Sequence, residues 1–515
     1  MNGYIENGII YKNYKKNKII GYTEDVPNVV VIPNGVKCID ECAFNGCATS
    51  TSIIIPDSVK SIGKWAFANC LNLTSITIPD SVTNIGLSVF LNCHELTSIS
   101  VDKNNLVYDS RNNCNAIIET ATNTLIAGCK NTIIPDGVMS IGDYAFAHCN
   151  NLTSIEIPDS VIDIGDYAFT LCFELTNITI PNSVTNIGTE AFSDCFRLIS
   201  VTIPDSVTSI GDSAFSWCKS LTNITIPDSV AYIGKSAFSN CAKLANVNVS
   251  KKNTVYDSRN NCNAIIESAT NALILGCKNT VIPDGVTNIR NEAFCGCSDL
   301  TDIIIPNGVT SIGYAAFCGC HKLTNITIPN SVKSIADEAF ANCSELTKII
   351  IPETVTSIGK KVFYACNNLT NIIVDKNNLV YDSRNDCNAI IEKCSNALVI
   401  GCQNTTIPDG ITSIGNAAFS GCKSLTSIII PNGVTSIDND AFSYCNGLIS
   451  ITIPDSVTKI GKRAFLCDNL KNITIPNDVI YIESDAFGCY TRLEKEKDSF
   501  KTIIRDFWIR IKKLK

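Results

Sequence analysis

Proline recurs in this chain with a fixed rhythm. Sixteen of the 17 prolines close a short run of the form Leu-x-x-Ile-x-Ile-Pro, and eleven of the fifteen intervals between them repeat the step from Pro33 to Pro56. Three others are much longer (Pro79 to Pro135, Pro227 to Pro283, Pro352 to Pro408), and one, Pro454 to Pro476, is a single position shorter. A constant period of about 20 to 50 residues marks stacked repeats, in which no unit buries its hydrophobic face alone. The chain is therefore expected to be a repeat solenoid.

One repeat, Leu73 to Cys93, shows why it would stack. Ile76 and Ile78 alternate with Thr77, the pattern of a short strand with one buried face. Pro79 cannot donate to a ladder, so pairing stops there and the chain turns. Val82, Ile85, Val89, Phe90 and Cys93 follow at steps of three and four, which predicts a loose helical or 3₁₀ return with its apolar side inward. Gly86 is expected to permit a tight bend. The offsets of Ile85 and Phe90 from Pro79 are kept by an Ile and a Phe after every one of the sixteen repeat prolines, and the Val at the offset of Val82 is replaced once, by Ile411. Each position is thus expected to stack on its own copy. The recurring Pro-Asp-Ser, as in Asp57-Ser58 and Asp205-Ser206, reads as a turn whose short polar side chains bond local backbone.

Each of the three long intervals resolves into one ordinary repeat plus a longer unit, at 102–134, 250–282 and 375–407. Asp102, Ser250 and Asp375 stand where proline would be, and two short apolar runs then predict a β-hairpin. Residues 7 to 22 repeat that design. This places an N-terminal hairpin-type cap at 1–32, the repeat body at 33–489 and a C-terminal amphipathic segment at 490–515.

Composition limits the function classes. Hydrophobic residues make up 45% and charged residues 17%, enough for a large core and against disorder. The formal charge is -8, and the segment 490–515 carries nine Lys or Arg against four Asp or Glu, which leaves the body mildly acidic and argues against nucleic acid as a partner. Met1 to Tyr22 has no apolar core of the signal-peptide kind, and no run approaches the roughly 18 apolar residues of a membrane span, so a cytoplasmic location is expected from sequence.

The pattern Leu-x-x-Ile-x-Ile-Pro-Asp-Ser-Val-x-x-Ile-Gly-x-x-Ala-Phe-x-x-Cys resembles the BspA-type leucine-rich repeat over roughly residues 5 to 489. The resemblance implies a curved horseshoe or superhelix, with a parallel sheet on its concave side and irregular segments outside. It also implies a microbial surface protein that binds host proteins, matrix components or other cells.

Candidate chemistry is sparse. Of 27 cysteines, fourteen share the offset of Cys93 from its repeat proline, and Cys467 and Cys489 lie one position earlier; all sixteen fit small apolar side chains packed inside the coil. Six more form three equally spaced pairs: Cys114 with Cys129, Cys262 with Cys277, Cys387 with Cys402. Pairing Ile118 with Leu125 would set Cys114 opposite Cys129, either as packed thiols or as a disulfide of an oxidising compartment. Cys295-Gly-Cys297 and Cys318-Gly-Cys320 occupy equivalent places in adjacent repeats, but the inward ladder takes only Cys297 and Cys320, which speaks against a four-thiolate zinc site. His94, His148 and His321 lie in well-separated units and form no cluster by spacing. No phosphate loop, nucleophile motif or carboxylate pair is present, and no cofactor is expected. Three function classes stay open: a surface adhesion protein, an intracellular protein-protein scaffold and, least supported, a metal- or thiol-dependent enzyme.

The outward strand position carries one charge in sixteen repeats, Glu156. Seven of its nine polar members, Thr77, Glu156, Thr179, Thr202, Thr225, Thr327 and Thr452, form the candidate binding face for a protein partner; the alternative is a row of strand-stabilising residues. In the last segment Phe500, Ile503, Ile504, Phe507, Ile511 and Leu514 share one helix face, which predicts a cap over the final ladder or, alternatively, a basic helix on a membrane.

Overall fold

The computed structural model describes residues 3–476, 479–483 and 485–487. The chain divides into two compact units, Met1–Phe340 and Ala341–Lys515. Each is a β-solenoid of stacked coils, and helix among the described residues is limited to three 3₁₀ turns, Arg111–Asn113, Arg259–Asn261 and Arg384–Asp386. The segment 490–515, expected to be a capping helix, lies outside the described residues.

In the first unit every ordinary coil gives two short strands. The one before the proline builds a parallel sheet: Ser75–Ile78 lies between Ser52–Ile54 and Ser98–Val101, with Ile76 opposite both Ile53 and Ile99. A second run, Ser154–Glu156, Asn177–Thr179, Ser200–Thr202, Asn223–Ile226 and Asn246–Val249, continues the same geometry as five parallel strands. Ile and Val point inward and alternate with exposed Thr, the period-2 pattern read from sequence. The second strand is only two residues long and ends on the repeat isoleucine, as in Asp163–Ile164, Asn186–Ile187 and Ser209–Ile210, also parallel and in register.

The return path is not helical. Tyr167 and Leu171 have φ of +58° and +60°. The N–H groups of Tyr167, Phe169 and Leu171 donate to the carbonyls of Thr189, Ala191 and Ser193 in the next coil. Those of Thr170 and Cys172 donate within their own coil, to Tyr167 and Phe169. A helix would consume all these donors locally, whereas stacked turns divide them between the coil and its neighbour. The three-and-four spacing thus marks which side chains point inward, not a helix. Gly or Asn immediately before the ladder cysteine, as in Gly46, Asn69 and Asn240, was the available signal, because these residues tolerate positive φ. Gly86 differs from expectation too: a Cβ there would lie 2.3 Å from Lys64 N, so it is needed for close approach between coils. The serines of Pro-Asp-Ser likewise bond across coils, Ser58 Oγ to Val36 O at 2.8 Å and Ser206 Oγ to Val184 O at 2.6 Å, and not to local backbone.

The phenylalanines stack. Phe146, Phe169, Phe192, Phe215 and Phe238 follow one another with ring centroids 5.0, 5.2, 5.2 and 5.4 Å apart. Beside them runs a ladder of thiols: Cys172, Cys195, Cys218 and Cys241 each donate from Sγ to the carbonyl of the ladder Phe of the preceding coil, at 3.2 to 3.3 Å. The repeat cysteine is therefore more than apolar filling.

The hairpin units join the second sheet. Ile117–Glu119 and Thr124–Ala127 pair antiparallel, and the latter then pairs in parallel with Ser140–Ile141. A further short strand, Tyr108–Asp109, flanks the hairpin. Tyr108 Oη accepts the N–H of Ile85 at 3.1 Å, and Tyr256 Oη that of Ile233 at 3.0 Å, so a tyrosine closes each interrupted sheet edge. Asn105 holds the turn that proline makes elsewhere, donating to Pro79 O and Val82 O and accepting from Val107 and Tyr108. The N-terminal strands Tyr4–Glu6, Ile9–Tyr11 and Lys18–Tyr22 are antiparallel in the same manner.

The second unit uses the same coil. Its strands Ser413–Ile414, Ser436–Ile437, Lys459–Ile460 and Tyr481–Ile482 pair in parallel. Phe419, Phe442, Phe465 and Phe487 stack at 5.0, 5.4 and 5.7 Å.

Candidate functional site

The alternation of the pre-proline strand puts the residue before its last isoleucine on the open face of the sheet in coil after coil. Thr77, Glu156, Thr179, Thr202, Thr225 and Thr327 in the first unit, and Thr452 in the second, are all exposed. Register brings some together and separates others. Glu156, Thr179 and Thr202 lie side by side in one sheet, and Thr225 continues it opposite Asn248. Thr77 belongs to a different sheet, where its Oγ1 lies 2.9 Å from Ser100 Oγ. Thr327 pairs with Ile304, and Thr452 pairs with Thr474.

Two further features of the face were not among the candidate residues. Asn177, Ser200 and Asn223 form a second exposed row two positions earlier, and Asn246 Nδ2 donates to Asn223 Oδ1 at 2.6 Å. The apolar members of the outward row are open to solvent as well: Ile304 is 80% and Ile133 74% exposed. Exposed apolar side chains of this kind are the usual material of contact surfaces. The strand alternation had already placed both in the outward row, and their exposure agrees with it.

The hairpin cysteines are displaced from direct opposition. Ile118 does pair with Leu125, but a bulge follows and Ile117 pairs with Ala127. Cys129 Sγ consequently donates to Asn115 O at 3.4 Å, Cys277 to Asn263 O at 3.4 Å and Cys402 to Asn388 O at 3.3 Å. Cys114 and Cys129 lie in different core clusters. Cys114, Cys129, Cys262, Cys277, Cys387 and Cys402 are all buried thiols, and burial raises the pKa of each. In the coil ladder the same cause pushes Cys149 and Cys241 up to about 12.

Cys297 and Cys320 face inward, and Cys295 and Cys318 lie on the other side of the turn. Gly296 and Gly319, both with φ of +75°, turn the chain between them. Among the described residues no group of three or more His, Cys, Asp or Glu is placed to hold a metal. His94 and His148, far apart in sequence, are neighbours, because the turn ridge passes over the hairpin unit: Asn150 Nδ2 lies 3.2 Å from His94 Nδ1. Burial and then the charge of His94 lower the pKa of His148. A groove beside the hairpin of the 250–282 unit is lined by Tyr232, Tyr256 and Tyr314, and its Arg290 is paired with Glu267 at 2.6 Å. No described helix is long and apolar enough to cross a membrane.

The family description "BspA type Leucine rich repeat region (6 copies)" matches residues 22–123, 139–265, 265–390 and 391–506. Among solved structures, a leucine rich cell surface protein from Faecalibacterium prausnitzii is 27% identical, over 95% of this chain and 96% of that one, with a TM-score of 0.38. A leucine-rich repeat protein from Bacteroides ovatus is 32% identical over 68% of this chain and 80% of its own, with a TM-score of 0.37. The pneumococcal vaccine antigen PcpA is 19% identical over 92% of this chain and 99% of its own, with a TM-score of 0.41. No curated protein matches the sequence significantly.

Proposed function

We propose, from the premise that this chain belongs to the BspA-type leucine-rich repeat family, that it is a non-enzymatic scaffold binding protein partners at a cell surface. The observation that carries this is the in-register open row of Glu156, Thr179, Thr202 and Thr225, backed by the Asn and Ser row beside it. The row offers β-branched surface with hydroxyl and amide groups and little charge, so a partner would meet shape and hydrogen bonds and not an electrostatic field. Nucleic acid fits it poorly, because a phosphate backbone requires a basic stripe. Repetition also disfavours catalysis, which needs one singular arrangement of groups. In this proposal residues 1–32 cap the first coil, and the six hairpin cysteines serve as packed thiols.

The test is the double substitution Thr202→Lys and Thr225→Lys, which adds two charges to the middle of the row without touching the core. Binding of the full chain to immobilised fibronectin, laminin and collagen is expected to fall at least tenfold while the circular dichroism spectrum and urea midpoint stay as in the parent. Undiminished binding by the variant would remove this face. Binding to none of the three, together with resistance of the protein to protease added outside intact cells, would favour the second reading, an intracellular scaffold. That reading is supported by the large number of buried thiols, which a reducing compartment preserves.

A further inference from the structure

Cys295 and Cys318 stand at the same offset from Pro283 and Pro306, in equivalent places of adjacent coils. Side chains at this position meet across neighbouring coils: in the second unit Ser420 Oγ lies 2.7 Å from Ser443 Oγ. In the first unit Cys295 and Cys318 take this position in neighbouring coils, and Cys295 Sγ also donates to Asn240 Oδ1 at 3.8 Å. The backbone holds the two coils in register, with Gly296 N donating to Cys318 O at 2.7 Å and the Phe294 and Phe317 rings stacked at 4.9 Å. Both thiols are partly exposed, unlike their buried neighbours Cys297 and Cys320, which donate to the Gly276 and Phe294 carbonyls. Coils in direct hydrogen-bond contact are about 5 Å apart, within the Cα separation of about 4.4 to 6.8 Å that a disulfide needs.

We infer that Cys295 and Cys318 are an oxidisable pair, which a hydroperoxide converts to a disulfide stapling two neighbouring coils of the solenoid. Two S–H bonds break and one S–S bond forms; the two electrons and two protons pass to the peroxide, whose O–O bond breaks. With hydrogen peroxide the products are the disulfide and two waters. The staple lies in the first two coils after the 250–282 hairpin unit, where Asn240 N already donates to Cys295 O across that unit at 2.9 Å. It adds a covalent tie to turns that backbone hydrogen bonds, the phenylalanine stack and the Cys320 thiol already join, and so raises resistance to unfolding in oxidant.

The experiment treats the full chain with hydrogen peroxide, blocks remaining thiols with iodoacetamide and maps peptides without reduction. Trypsin leaves residues 291–322 as one peptide, and cleavage before Asp299 and Asp302 separates Cys295 and Cys297 from Cys318 and Cys320. The expected result is a loss of about two hydrogen masses from the tryptic peptide, with the two halves still linked after the second cleavage. The loss should vanish in Cys295→Ser and in Cys318→Ser and persist in Cys297→Ser. Serine occupies the same position at Ser239, Ser420 and Ser443, so the Cys295→Ser chain is expected to fold. The oxidised parent should also show a higher urea midpoint than oxidised Cys295→Ser. Four alkylated thiols after peroxide, a sulfinic acid on Cys295, or linkage through Cys297 and Cys320 would each overturn the inference.

Discussion

Phe215 shows most directly how a single residue serves the coil. It is fully buried, with Phe192 5.2 Å away on one side and Phe238 5.4 Å away on the other. Truncation leaves a cavity between two rings that are themselves held by their coils and cannot collapse into it. Phe215→Ala should therefore cost about 3 to 5 kcal/mol, read as a lower urea midpoint of the full chain; an unchanged midpoint would refute the stacking account. The inward Phe, Val and Ile positions were legible in sequence because each recurs at a fixed distance from proline. The thiol bonds to the Phe carbonyls and the inter-coil bonds of Ser58 and Ser206 were not, since both partners sit about one period apart and spacing alone does not say which lone pair faces which hydrogen.

At the scale of the element, the hairpin units explain three glycines. A Cβ at Gly276 would lie 2.1 Å from Phe294 Cε1, and at Gly128 and Gly401 it would lie 2.2 and 2.1 Å from Phe146 and Phe419. Each hairpin thus ends on a flat place where the next Phe stack begins. Gly285 is glycine for a different reason: its φ is +90° with nothing within 4 Å of a Cβ. Gly276→Ala should lower stability by about 1 to 3 kcal/mol or more through overpacking against a buried ring. Gly285→Ala should cost about 1 kcal/mol through backbone strain alone. Equal urea midpoints for the two variants would count against the stacking role of Gly276. The hairpins themselves were readable from paired apolar runs. Their bulge was not, and it is the bulge that moves Cys114 out of line with Cys129, because one extra residue on a strand reverses which face every later side chain takes.

Across the whole molecule stability rests on repeated burial and hydrogen bonding, with little contribution from charge. The ion pairs among the described residues are partly exposed, such as Arg197 with Glu174 and Lys322 with Asp299. Pairs of this kind contribute about 0 to 1 kcal/mol each and are screened by salt. Raising potassium chloride from low to molar concentration should leave the urea midpoint nearly unchanged, or raise it slightly as repulsion within the acidic body is screened. A marked fall would place the stability in ion pairs instead of ladders.

The sequence by itself determined the repeat, the inward ladders, the hairpin units and the chemical character of the outward row, because all of these are periodic and periodicity is visible in one dimension. Tertiary stacking decided the rest. It turned the return path into shared turns instead of helix and brought His94 beside His148. Each of these depends on which neighbour a backbone group or side chain meets in the next coil. A chain that satisfies its hydrogen bonds between coils writes that choice into its stacking, where no local pattern records it.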